Sequence, residues 1–110
     1  MSYQMKIVIT TLAKREEAAK LGKAVIESGL AACVQVSGPM ISIYKWKGKT
    51  EQDEEWQLKC KTIASTTHQL MEFIEKNHPY ELPQIVAVPV TDVSAAYLHW
   101  AKEQCNTPGT

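Results

Sequence analysis

The chain lacks most of the features that announce chemistry from sequence alone. Its three cysteines, Cys33, Cys60 and Cys105, include no CxxC pair. An odd number at such spacings argues against a disulfide framework or a structural zinc site, and for a reducing compartment. Neither charge is in surplus: Lys plus Arg and Asp plus Glu come to 12 each in 110 residues. A general nucleic-acid binder needs a basic excess to neutralise phosphates, so no nucleic-acid partner is expected. No apolar run approaches the ~20 residues that span a bilayer, and the first residues carry no apolar signal-peptide core. A soluble, cytoplasmic protein is expected, with no membrane partner. The glycines are scattered and build no phosphate loop. There is no nucleophile elbow, dinucleotide fingerprint or HExxH motif, so an enzyme is not expected.

What is present is a regular alternation of strand and helix patterns within a single domain, residues 1–110. Gln4–Leu12 alternates as a strand, with Val8 on its second face marking a central position. Lys14–Ser28 has helical periodicity, with Ala18, Leu21, Val25 and Ile26 on one face and Gly29 positioned as the residue that ends it. Leu30–Val36 reads as a strand, and at Ser37-Gly38-Pro39 the chain is expected to bend, bulge or leave the sheet. Extended character resumes at Met40, with Ile41, Ile43 and Lys45 on one side and Ser42, Tyr44 and Trp46 on the other. Lys47-Gly48-Lys49 reads as a hairpin tip and Thr50–Ala64 as the returning strand. Ser65, Thr66 or Thr67 is placed to cap a helix with apolar Leu70, Phe73 and Ile74, which Pro79 stops at Asn77–His78. Ile85–Val90 reads as a short buried strand whose Pro89 favours an edge position or a bulge near its end. Asp92 or Ser94 starts a last helix, Ala95–Gln104, and the tail 106–110 is expected to fray.

This order is α+β: a ferredoxin-like β-α-β-β-α-β sandwich with an extended β-hairpin and a C-terminal helix. The two hairpin arms are about twice the usual ~5–6 residues of a strand. Long edges and tryptophans near the tip are a liability for a monomer, so the arms favour self-association.

Candidate site residues are few. His68 and His99 read as surface residues on helices, and Cys33 and Cys60 as small buried hydrophobes. His78 differs, because it ends a helix before the rigid Pro79 and neighbours Tyr80 and Glu81. The acidic run Glu51–Glu55 lacks the spacing of a calcium loop and reads as a solvated hairpin rim. Tyr44, Trp46, Trp56, Tyr80, Tyr97 and Trp100 are packing residues or, in part, the lining of a cleft.

Leu30-Ala31-Ala32-Cys33-Val34, Tyr44-Lys45-Trp46-Lys47-Gly48-Lys49, Glu55, Lys61-Thr62, His78-Pro79-Tyr80-Glu81-Leu82-Pro83 and Val88-Pro89-Val90 occur in this order and at matching intervals. From about Lys6 to Lys102 the chain resembles the CutA family of divalent-cation tolerance proteins. The resemblance implies a homotrimer of ferredoxin-like subunits paired through their hairpin arms, similar in architecture to the PII signal proteins. It implies a role in the response to copper and other divalent cations. Copper-binding members use a cysteine on the first strand and two adjacent histidines before the Pro-Tyr. Here those positions hold Thr10, Asn77 and His78, so His78 alone is left as a metal ligand, for copper or zinc, and binding is weak or indirect. Trp46, Glu55, Lys61, Tyr80, Tyr97 and Trp100, with His78, resemble the residues that line the clefts between subunits. By analogy with PII, those clefts hold a small anionic ligand. A ligand-sensing regulatory trimer and a trimeric scaffold for a partner protein are the alternatives.

Overall fold

A computed structural model describes residues 3–105; the tail 106–110 lies outside the described residues. The elements run β1 (Met5–Leu12), α1 (Arg15–Glu27), β2 (Cys33–Trp46), β3 (Lys49–Ile63), a single 3-10 turn (Ala64–Thr66), α2 (Thr67–Asn77), β4 (Ile85–Val90) and α3 (Ala95–Gln104). The strands form one antiparallel sheet in the order β2-β3-β1-β4. This is the ferredoxin-like arrangement; of the two readings of Pro89 the edge position holds, and β4 is not the buried strand expected, because one of its faces lies on the open side of the sheet.

Register decides which residues meet the helices. Val8 lies opposite Cys60 and Ala87, and Thr10 opposite Leu58 and Ile85. Together with Leu12 these residues point to the face covered by α1 and α2. There Val8, Leu12, Leu58 and Cys60 pack against Ala18, Leu21, Val25, Leu70 and Ile74, all fully or nearly buried. Burying each such aliphatic side chain stabilises the fold by roughly 1.5–3 kcal/mol before the entropy of ordering it. Ile26, assigned by periodicity to the same helical face as Val25, is exposed instead. Gly29 ends α1 with φ 72°, the left-handed conformation that glycine takes without a Cβ penalty.

The other sheet face is only partly covered. At one end, Met5 and Ile63 join Ala101 and Cys105 in a second small core beneath α3. Beyond it, Ile7 and Ile9 stand beside Val88 and Val86 on β4, and both valines are exposed. The alternation in β1 therefore serves two layers: Val8, Thr10 and Leu12 face the helices, while Ile7 and Ile9 face the open side.

The interruption at Ser37-Gly38-Pro39 is a β-bulge inside a continuous β2. Ser37 pairs with Gln57 and Met40 with Glu55, so β2 carries one extra residue. The extra residue reverses which face later side chains take, turning Tyr44 and Trp46 to the open side. None of the hydroxyls expected to cap α2 does so. Thr66 and Thr67 both donate back to the Ile63 carbonyl, at 3.2 and 3.0 Å. Ser94 does cap α3, accepting from the Tyr97 N–H at 3.3 Å.

Candidate functional site

The hairpin turn sets the first half of the site. Lys47 and Gly48 both have positive φ, 51° and 81°, the two-residue turn that matches the twist of antiparallel strands. It pairs Trp46 with Lys49, and from there Tyr44 with Glu51, Ser42 with Asp53 and Met40 with Glu55. Tyr44, Asp53 and Glu55 thus share a face. The Tyr44 hydroxyl donates to the Asp53 carboxylate one step along the ladder. That bond, followed by burial and the nearby carboxylates, pushes the phenol up to about 12.

The segment after α2 sets the second half. Asn77 Nδ2 donates to the Phe73 carbonyl at 2.8 Å, closing the helix end, and His78 turns extended before Pro79. The His78 ring then reaches back to β1. Its Nδ1 accepts the Tyr80 N–H at 3.1 Å, and its Nε2 lies 2.9 Å from the Thr11 carbonyl oxygen. A backbone N–H only donates and a carbonyl only accepts, so the ring is the neutral tautomer with its proton on Nε2. Burial lowers the His78 pKa, outweighing the Thr11 carbonyl, Glu17 and Glu55, which favour the charged form. Tyr80 packs on the ring at 4.8 Å between centroids and donates its hydroxyl to Glu55 at 2.7 Å. Burial first, then this bond and the charges of Glu55, Glu17 and Asp53, raises the Tyr80 pKa.

Glu55 is only 9% exposed. The acidic run is therefore not simply a solvated rim: its last member is buried and partnered. The role of Asp53 was legible in principle, because a two-residue turn at Lys47-Gly48 counts Tyr44 onto Glu51 and brings Asp53 within diagonal reach. The return of Tyr80 to Glu55 has no such local signal.

Trp46, Glu55 and Tyr80 line one cavity of about 720 Å³ between the hairpin and the His78–Pro83 segment, together with Tyr44, Asp53 and Glu81. His78 stands behind it, against Tyr80. Lys61, Tyr97 and Trp100 do not reach it. Lys61 lies six residues beyond Glu55 on β3, ~20 Å along an extended strand. It is opposite Cys33, and burial, then the Cys33 thiol, raises the pKa of Tyr97. Tyr97 and Trp100 pack on each other on α3, with centroids 5.4 Å apart.

The residues available do not fit a metal ion. No group of three His, Cys, Asp or Glu side chains is placed to hold one among the described residues. Both ring nitrogens of His78 are engaged, so the metal role expected of it would require breaking the bond from Tyr80 N–H. Asn77 is committed to the helix end. Thr10, fully buried on the helix-covered face with its hydroxyl unpartnered, is a neutral, poor ligand. The Cys60 thiol, pushed up to about 12 by burial and secondarily by Cys33, stays protonated and is no better.

The sequence and the fold find their match among known proteins. The family model described as CutA1 divalent ion tolerance protein matches residues 6–104. The chain belongs to the CutA family. It is 37% identical over 98 residues to the divalent-cation tolerance protein CutA of Thermus thermophilus, covering 89% of this chain and 95% of that one. It is 40% identical over 93 residues to mouse protein CutA, covering 84% of this chain and 52% of the relative. The chain thus spans about half the length of the mammalian CutA proteins it matches. The solved Thermus thermophilus divalent cation tolerance protein superposes with a TM-score of 0.88 at 35% identity, covering 93% of this chain and 99% of that one. No helix among the described residues is long and apolar enough to cross a membrane.

Proposed function

We propose that this CutA-family chain works as a cytoplasmic, non-catalytic homotrimer in the response to divalent cations, with an indirect link to the metal. The observation that carries the assembly is the open sheet face. Ile7 and Ile9 are half-buried there and Val86 and Val88 are 42% and 45% exposed, beside the unpaired edge of β4. The hairpin adds a second edge that projects from the body. The radius of gyration, 14.6 Å, exceeds the ~13 Å of a compact chain of this length. Further copies that cover the face and pair with both edges remove both liabilities. The indirect link to metal rests on His78, whose two nitrogens hold the Tyr80 segment to β1 instead of an ion.

Light scattering tests the assembly. Three 12.3 kDa chains, about 37 kDa, are expected for the wild type, and a shift toward one chain for Val88→Glu. A wild type with the mass of one chain contradicts the proposal.

A ligand-sensing trimer is the second reading, favoured by the cavity between the hairpin and Tyr80. In that reading Trp46, Glu55 and Tyr80 of one copy form half of a cleft. Lys61, Tyr97 and Trp100 of a neighbouring copy, too far away within one chain, form the rest.

A further inference from the structure

The open sheet face carries charge as well as apolar side chains, and the two signs are segregated along one strand. β3 alternates without interruption, because the bulge lies in β2. Its alternate side chains therefore put Glu51, Asp53, Glu55, Gln57, Lys59 and Lys61 on one face. Carboxylates occupy the hairpin end of that row and ammonium groups the body end. Lys59 stands opposite Ile9 and Lys61 opposite Ile7, so both lysines rise from the apolar part of the open face. Both are already half-buried in the lone chain.

Neither end is neutralised from within. Among the described residues the one ion pair is His99–Glu103 on α3. Glu55 is buried and receives the Tyr80 hydroxyl, but no Lys or Arg lines the cavity beside it. About 20 Å of extended strand separates Glu55 from Lys61, too far for the two to meet in one chain. Covering the open face with further copies buries the lysines deeper, and an unpaired ammonium in an apolar contact is costly. The covering surface must therefore bring carboxylates, and the hairpin, which projects beyond its own body, presents them. A three-membered ring is built from contacts between unlike surfaces. The two ends of β3 are such a pair.

We propose that the open face of β3 is a charge-matched docking surface for a second copy of this chain, in which Lys61 of one copy pairs with Glu55 of the next. The proposal rests on the assembly reading and deepens it, by naming the contact that decides which surfaces meet. Glu55 gains the cation that its own chain does not supply. Lys59 and Asp53, one step along the same row, add to the same complementary field.

Urea titration of the full chain at low ionic strength and fixed protein concentration, with mass followed by light scattering, tests it. The readout is the urea midpoint at which the mass falls from three chains to one. Lys61→Met keeps the hydrocarbon stem and removes the charge. A contact held by apolar burial alone would be unchanged or tightened by it. The pair predicts a lower midpoint, because Glu55 is left buried without its cation. Lys61→Glu and Glu55→Lys should each lower the midpoint further, and the swap that combines them should lie above both. Near-UV circular dichroism without urea reports whether each variant keeps its packing. If the Glu55 variants fail to fold, Lys61→Met alone decides. A Lys61→Met midpoint at or above the wild type overturns the proposal and leaves the assembly standing, as does a folded swap no better than either single variant. A wild type with the mass of one chain before urea is added overturns both.

Discussion

His78 shows how one side chain's hydrogen bonds decide between two roles. In the sequence it is the best metal candidate, held before a rigid Pro79. In the folded chain it is a clasp: its protonated nitrogen faces the Thr11 carbonyl and its lone pair receives the Tyr80 N–H. This arrangement requires the neutral ring, and protonating Nδ1 would set two donors against each other. Burial accordingly lowers the His78 pKa from its ordinary 6.5. The unfolded chain then takes up the proton first, so this contribution to stability is complete above about pH 6.5 and is lost progressively below it. Chemical denaturation followed between pH 7.5 and 5.5 should show stability falling with pH in the wild type. In His78→Asn that part of the fall should be absent, while the plateau at high pH should be lower.

Among the elements, the hairpin carries the largest consequences. The bulge in β2 turns Tyr44 and Trp46 to the same side as Glu55, and Gly38 makes the bulge possible. Its φ is 151°, and an added Cβ would lie 2.9 Å from the Trp56 ring and 3.1 Å from the Glu55 carbonyl oxygen. Gly38→Ala should therefore destabilise the chain by about 1–3 kcal/mol, the cost of backbone strain at such a position. Urea denaturation measures it, and the spectrum of Trp56 should change with it. The interruption was legible in Ser37-Gly38-Pro39, and the turn in Lys47-Gly48. Element types and order were legible throughout, because each segment's period is clear. Contacts closed by tertiary packing were not. Nothing local to Ile26 distinguishes it from Val25, and nothing local to Glu55 shows that Tyr80 returns from 25 positions away to bury it. The hydroxyls before α2 have the composition of a cap but turn back to Ile63, a choice made by the end of β3.

At the scale of the whole molecule, a single chain leaves one sheet face partly uncovered and the edges of β2 and β4 unpaired. It measures 45 × 28 × 22 Å along its principal axes, drawn out by a hairpin with Ile41 and Ile43 about two-thirds exposed. One sheet face is sealed by α1 and α2; the other carries α3 at one end and exposed valines beyond it. Its candidate site is divided in the same way, with Trp46, Glu55 and Tyr80 at the hairpin and Lys61, Tyr97 and Trp100 some 20 Å along the sheet. The resemblance in sequence implies a cleft shared between subunits; under the proposed assembly the two groups of residues meet across copies and not within one chain. Assembly is therefore the central claim, and the edge of β4 is where it is most exposed to test. In a lone chain the β4 amides that point away from β1 have no partner and exchange their hydrogens rapidly. Hydrogen–deuterium exchange across Ile85–Val90, compared between the wild type and Val88→Glu, measures this directly. Strong protection of the outward amides in the wild type, lost in the variant, is the predicted result. Rapid exchange of those amides in the wild type would contradict it.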